Sequence, residues 1–464
     1  MAAPTSNEGF DARTTKPSRL DRPLADWWCA IGWLTASVVF VALTTWLGGP
    51  TSSDSGVSTF PTWAIAHGQV ACAYPPAGTP GLNDIKPFIA PLYPLLAAAL
   101  AATFDVGDTV AFPSPRRLGE HCHHAVAAIS RWSVRTGAVD PTLRFGYLGW
   151  LALLAGAIAL LRSVGLGRRL REPLVLVALA VTPPVVMCVQ SLFHPQDLLA
   201  LGLILGGLAF ARRSQWWWAG VLIGLAFTAQ QFALLAMIPL AVVAPKSGRP
   251  RFALGAAVAA TLMVVPIAMM SSGRALRAAL VGSGLTLPDP GTLMWELHLR
   301  APSALLVARL GSVVAGAVVA LWSSRRLREA ALEPVALVSL IATALALRLV
   351  FEANLFGYYP MAVSVMMVLL VAMGERRLLL PLVGWLAVVT LAYDPLPWGV
   401  HPLFRTVPYW VWQVVIVPSG LLLVAAPLVA RVRDSSHRPT ATSSSGDGLS
   451  PSSPLPEPGS PGTG

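Results

Sequence analysis

An all-α, polytopic membrane bundle is the fold class that the sequence predicts, and three observations predict it. The 464 residues are 55% hydrophobic and only 12% charged, with a mean hydropathy of +0.64. An ordinary soluble domain carries roughly a quarter charged residues. The apolar residues gather in runs long enough for spanning helices, each of which needs about 20 of them. Finally, 21 of the 33 Lys and Arg fall in seven short clusters between those runs. These are Arg13 to Arg22, Arg162 to Arg171, Arg212–Arg213, Lys246 to Arg251, Arg325 to Arg328, Arg376–Arg377 and Arg431 to Arg438. Clusters spaced this way follow the positive-inside rule for cytoplasmic loops. A water-soluble globule, a disordered chain and a disulfide scaffold are excluded, the last because four cysteines in this length staple little. The net charge of +11 is read as topology, since no basic stripe interleaves with aromatics as a nucleic-acid partner would require.

Taken in order, the chain opens with a basic cytoplasmic N-terminus, residues 1–26. Trp27 to Leu47 is the first span; its preceding flank is long and no A-x-A site follows before the next polar stretch, so it is not a cleavable signal. Further spans are expected at 142–162, 173–190, 195–211, 252–270, 303–322, 333–350, 356–373, 378–393 and 408–430. The stretch 216–245 lies between two basic clusters, so two short helices broken near Gln230–Gln231 return the chain to the positive side. Pro87 to Phe104 is apolar enough to enter the membrane. A single span there would move the cluster Arg162 to Arg171 outside, so a re-entrant segment or an extra span within 118–138 is the alternative. The count is about 11–13 spans, forming one membrane domain over 27–430 with external loops at 48–87 and 105–140. From 431 to 464 a Ser, Pro and Gly-rich stretch reads as a disordered cytoplasmic tail. Both termini are expected inside, in the plasma membrane.

Ionisable groups at membrane depth or on the outer face are expensive and mark candidate sites. In the first external loop the acids are Asp54 and Asp84. Asp54, among small residues just beyond the first span, is placed to act as a general base on a hydroxyl, or simply to sit in a loop or cap a short helix. His194, Gln196 and Asp197, around Pro195 at a helix start, form a polar binding site or a set of caps. Gln230 and Gln231 are amides in an apolar run and must find partners. Arg348 and Glu352 share one helix face at i and i+4. They form either an intramembrane salt bridge or a phosphate-holding Arg with its resting partner, with Tyr358 and Tyr359 at headgroup depth.

Cys72 and Cys122 lie in the two external loops and either pair there or stay as thiols, whereas Cys29 and Cys188 read as small core residues. His121-Cys122-His123-His124 is too compact to close a tetrahedral metal site, so no metal is expected. Trp216-Trp217-Trp218 reads as an interfacial belt. No GxxxxGK[ST], GxGxxG, HExxH or GxSxG occurs to support an ATP-driven pump, a dinucleotide enzyme or a protease. No cofactor is expected.

A first span followed by a long external loop with an early Asp54 and a downstream Tyr74-Pro75-Pro76 resembles the GT-C glycosyltransferases. The stretch 195–245, PQDLLALGLILGGLAFARRSQWWWAGVLIGLAFTAQQFALLAMIPLAVVAP, is similar to the polyprenol-phosphate-mannose-dependent mannosyltransferases in its helix, basic turn, Ala-Gly-x-x-x-Gly helix and polar break. Many relatives carry a Lys at that break, where this chain has Gln230-Gln231. The resemblance implies an inverting membrane enzyme that moves a sugar, mannose for these relatives, from a polyprenyl-phosphate donor to a lipid or cell-wall glycan on the outer face. Asp54 would be its catalytic base. Arg348 matches by position only. The other class open to such a chain is a transporter or lipid flippase. Those often show internal repeats, and none is visible here.

Overall fold

In this computed structural model the described residues are 21–47, 54–66, 68–74, 89–103, 139–166, 171–190, 193–271, 273–281, 292–299, 302–352, 358–393 and 412–436. All their regular structure is helical. The polytopic helical bundle expected from composition is the fold. Among the described residues, five helices are long and apolar enough to cross alone, and a bent pair adds a sixth. The remaining helices are shorter or carry more polar groups.

The apolar run from Trp27 forms α1 (Asp21–Trp46), whose Trp27, Leu34 and Val38 are exposed as on a lipid-facing helix. The first loop holds α2 (Asp54–Ala66) and α3 (Val70–Ala73), and the apolar segment after it forms α4 (Leu92–Thr103). At 12 residues α4 is about 18 Å long, too short to cross a bilayer core of about 30 Å. Then come α5 (Val139–Ser163) and a helix pair, α6 (Arg171–Ala180) and α7 (Pro183–Gln190), bent by 51° at its break. Pro183 and Pro184 account for the bend, since proline cannot donate to the preceding turn.

Close backbone approaches give the directions. A Cβ on Gly149 would lie 2.3 Å from the Pro195 carbonyl oxygen, and one on Gly156 would lie 2.0 Å from that of Gly202. The register is constant, so α5 runs parallel to α8 (Pro195–Arg212). In the same way Gly220 and Gly224 of α9 (Trp216–Ala229) abut Phe252 and Ala256 of α11 (Arg249–Met270). The glycines of the Ala-Gly-x-x-x-Gly helix therefore serve helix contact. Because α9 and α11 start side by side, α10 (Leu234–Val243) must bring the chain back to the end it left, after a 3-10 turn at Gln231–Ala233. The first loop obeys the same logic. Gly32 of α1 lies against Pro173 at the start of α6, and Gln190 at the end of α7 donates to the Leu47 carbonyl, 3.0 Å. The chain thus leaves at one end after α1 and re-enters at that same end with α5, while α4 is too short to cross alone and residues 118–138, where an extra span was the alternative, lie outside the described residues.

The second half contains α12 (Gly273–Val281), α13 (Leu293–Glu296), α14 (Pro302–Leu327), α15 (Pro334–Phe351), α16 (Met361–Ala372), α17 (Leu379–Tyr393) and α18 (Val417–Ser436). Helix α18 carries on past Arg431 to Ser436, and residues 437–464 lie outside the described residues. Helices α8, α15 and α16 are buried on nearly all sides and form the core. The basic clusters gather at one end. Arg431 pairs with Glu375 at 3.2 Å and Glu333 at 3.8 Å, and Arg212 donates to the Leu332 carbonyl at 2.6 Å. Trp216 departs from the aromatic-belt expectation: it is buried against Gly248, whose missing side chain makes room for the indole, while Trp218 faces out.

Candidate functional site

Helix α8 starts at the opposite end from those ion pairs. Pro195 sets its first turn, and Phe193 before it takes a φ of 51°. That left-handed backbone is unusual for a bulky residue and is kept only where surroundings enforce it. Here the buried Phe193 ring sits beside Gly146 of α5, and the His194 N–H donates to the Cys188 carbonyl. The turn aims His194 away from α5. Its side chain makes no cap bond to α8, so the capping alternative fails for it. The ring instead stacks on Tyr358, with centroids 4.3 Å apart and planes at 16°, and its Nδ1 lies 2.9 Å from Gln196 Nε2.

Asp197, also buried, reaches the polar break between α9 and α10, where Gln230 Nε2 donates to its Oδ1. Gln230 is extended (φ −158°, ψ 138°), and its own Oε1 accepts from the Gln231 N–H at 3.1 Å. The break therefore satisfies its own backbone while presenting an amide to α8. Gln231 turns the other way: its Nε2 donates to the Ala279 carbonyl of α12 at 2.8 Å.

Arg348, in the last turn of α15, donates through Nε to Glu352 Oε2 at 2.8 Å. Its guanidinium lies over the Tyr359 ring at 4.7 Å and the Phe232 ring at 5.2 Å. Tyr359 meets Tyr358 edge-on, with centroids 4.8 Å apart. A continuous series of contacts thus runs from Gln196 through His194, Tyr358 and Tyr359 to Arg348 and Glu352. Asp197 lies within electrostatic reach of His194, Arg348 and Glu352. Tyr358 is buried under the imidazole and serves as its platform.

Six candidates from three separate sequence clusters, His194, Gln196, Asp197, Gln230, Arg348 and Glu352, therefore share one site with Tyr358 and Tyr359. Sequence reasoning missed Arg309 of α14, whose Nη2 lies 3.9 Å from Glu352 Oε1. The same rule that marked Arg348, an ionisable group in an apolar helix, would have found it.

Asp54 is the first residue of α2, so the short helix begins on it. Helix α2 packs on α4, and α4 on α8 and α9, so this layer covers part of the bundle. The side chain of Asp54 lies outside the described residues, as do Pro75 and Pro76. Tyr74 donates to the Ile89 carbonyl at 2.8 Å, and burial pushes its phenol up, consistent with a permanent donor. Cys72 is disulfide-bonded, and Cys29 and Cys188 are buried thiols. Cys122 and the rest of His121 to His124 lie outside the described residues. Among the described residues no three His, Cys, Asp or Glu converge on a metal position.

Residues 142–347 match the family model of glycosyltransferase family 87, a family of membrane glycosyltransferases. The match runs from α5 to α15, takes in His194, Gln196, Asp197, Gln230 and Arg309, and stops one residue short of Arg348. No curated protein and no solved structure matches the chain.

Proposed function

We propose that this chain is a membrane glycosyltransferase that takes its sugar from a polyprenyl-phosphate donor, on the premise that its central helices are similar to glycosyltransferase family 87. The observation that carries the donor class is Arg348. It sits at the end of the bundle opposite the basic clusters, its side chain is 21% exposed, and it is oriented by two aromatic rings. A guanidinium stays charged and binds phosphate in a bidentate way, so it suits a leaving phosphate. Glu352 neutralises Arg348 at rest and gives way to the donor, and Arg309 adds a second positive group on the far side of the carboxylate.

In the reaction the acceptor hydroxyl forms a bond to the anomeric carbon as the bond from that carbon to the phosphate oxygen breaks. The hydroxyl proton goes to a base, and polyprenyl phosphate leaves with its charge beside Arg348. Asp54 is the proposed base, and the anomeric centre inverts in this single displacement. The donor sugar is mannose and the acceptor a lipid or wall glycan, in the outer leaflet of a plasma membrane with both chain termini inside. Support for these finer points is the layout of the first loop and of residues 195–245.

The test is transfer of labelled mannose from synthetic polyprenyl-phosphate mannose to a membrane-lipid extract by the purified chain. Transfer that yields a product of opposite anomeric configuration is expected. A protein that moves the intact donor across vesicles without cleaving it is instead a flippase, and the reading is wrong.

A further inference from the structure

We infer that Gln196 is a substrate-contacting residue whose amide reads one hydroxyl of the sugar being transferred. The inference rests on the glycosyl-transfer reading above and assigns a residue to the sugar end of that site. Gln196 is 1% exposed, and its amide has one partner, the His194 ring. Its Oε1 is buried with no hydrogen-bond partner. A buried polar atom left alone costs about 1–3 kcal/mol, so folding alone does not favour a glutamine here. Other buried side chains among the described residues, Gln190 and Tyr93 among them, also hold an unpartnered polar atom, but Gln196 alone of these is bonded to the His194 ring of the site, where a ligand can complete it.

The chemistry of the missing partner follows from the amide. With Nε2 donating to His194 Nδ1, the free atom is an acceptor. Turning the amide over makes Nδ1–H the donor to Oε1 and leaves an NH₂ unpartnered instead. Either way one half of the amide remains for the ligand, and a hydroxyl serves both cases because it donates and accepts. A phosphate only accepts, and its charge belongs beside Arg348. In the run of contacts Gln196 stands at the opposite end from Arg348, separated by the His194, Tyr358 and Tyr359 rings. The site therefore has a guanidinium for the phosphate and, across those rings, an uncharged amide beside Asp197 for the sugar it carries. His194 is a positioning residue in this scheme: its ring, clamped on Tyr358, fixes how the amide faces.

The experiment compares wild type with Gln196→Met, which keeps the length and removes both amide atoms. Donors are polyprenyl-phosphate mannose and its 2-, 3-, 4- and 6-deoxy analogues, with a membrane-lipid extract as acceptor. Wild type should lose roughly tenfold to a hundredfold in kcat/KM for one deoxy donor in particular. Gln196→Met should show that loss already with the parent donor and no further loss with the same analogue. Its Tm in detergent should stay within a few degrees of wild type, since the removed oxygen was unpaired and the one bond lost is that to His194.

A wild-type penalty that persists unchanged in Gln196→Met overturns the inference. So does a flat donor panel, which would place the hydroxyl on the acceptor. So does a Tm collapse with an unaltered selectivity profile in the surviving protein, which would make the role structural. If wild type transfers nothing from the parent donor, the function reading itself falls, and the assignment of Gln196 with it.

Discussion

Gln230 and Asp197 join through a single hydrogen bond, Nε2 to Oδ1, that links the break between α9 and α10 to the first turn of α8. The two residues are 33 positions apart, and each alone would be an expensive group in an apolar helix. Together they fasten a discontinuous helix to the helix that carries His194 and Gln196.

Removing the amide should therefore expose the cost of the acid. Gln230→Leu is expected to destabilise the protein by about 1–3 kcal/mol, while Gln230→Leu with Asp197→Leu recovers most of it. Thermal unfolding of the four proteins in detergent measures the coupling. Additive losses would show that the bond contributes nothing.

Arg348 and Glu352 are expected to separate by function and not by folding. Arg348→Ala should raise the donor KM at least tenfold, and Arg348→Lys should recover only part, because an ammonium lacks the bidentate geometry. Glu352→Gln should lower KM or leave it unchanged. If Arg348→Ala and Glu352→Ala reduce protein levels alike and the surviving protein has normal specific activity, the pair is structural only.

Asp54→Asn is expected to lower turnover by roughly 10²–10⁴-fold with protein levels intact, as loss of a general base does. Asp197 is the competing acid because it already sits among His194, Gln230 and Arg348. Near-normal turnover in Asp54→Asn, beside an inactive Asp197→Asn, would transfer the role to Asp197.

Cys72 is expected to have Cys122 as its disulfide partner, on the outer side. An impermeant thiol reagent should label neither residue in intact cells until reduction, and Cys122→Ser should make Cys72 reactive without it. Labelling of Cys72 before reduction in the unaltered protein would refute the pairing.

Helix contact gives a prediction of opposite signs at two glycines. Gly156→Ala should lower stability by about 1–3 kcal/mol or more, since its Cβ would lie 2.0 Å from the Gly202 oxygen. Gly384→Ala in α17 meets nothing within 4 Å and should stabilise slightly, by the ordinary helix preference for Ala of about 0.5–1 kcal/mol. Melting temperatures of the two variants decide it.

Much of this architecture is legible in the chain itself. Apolar runs with basic clusters between them determine the helices, their order and the end at which Arg431 meets Glu333 and Glu375 and Arg212 meets the Leu332 carbonyl. Spanning length and the positive-inside bias are local properties, set by residues adjacent in sequence. The broken hairpin at Gln230–Gln231 belongs to the same class, since a polar pair between two basic clusters forces the chain back. The identity of the polar candidates is local too, because any ionisable or amide group in an apolar run stands out.

What each candidate touches was decided only by the tertiary structure. Nothing in the spacing says that Gln230 meets Asp197 while Gln231 turns to Ala279, or that Tyr358 lies under His194. Arg309 enters the site from α14, a helix whose facing depends on how it packs against α15. That the chain re-enters at the end it left also emerged only from the contacts of Gly32, Leu47 and Gly149, which place the end of α1 and the start of α5 together. Helix formation follows from neighbours along the chain, whereas the pairing of helix ends follows from close packing between segments far apart in sequence.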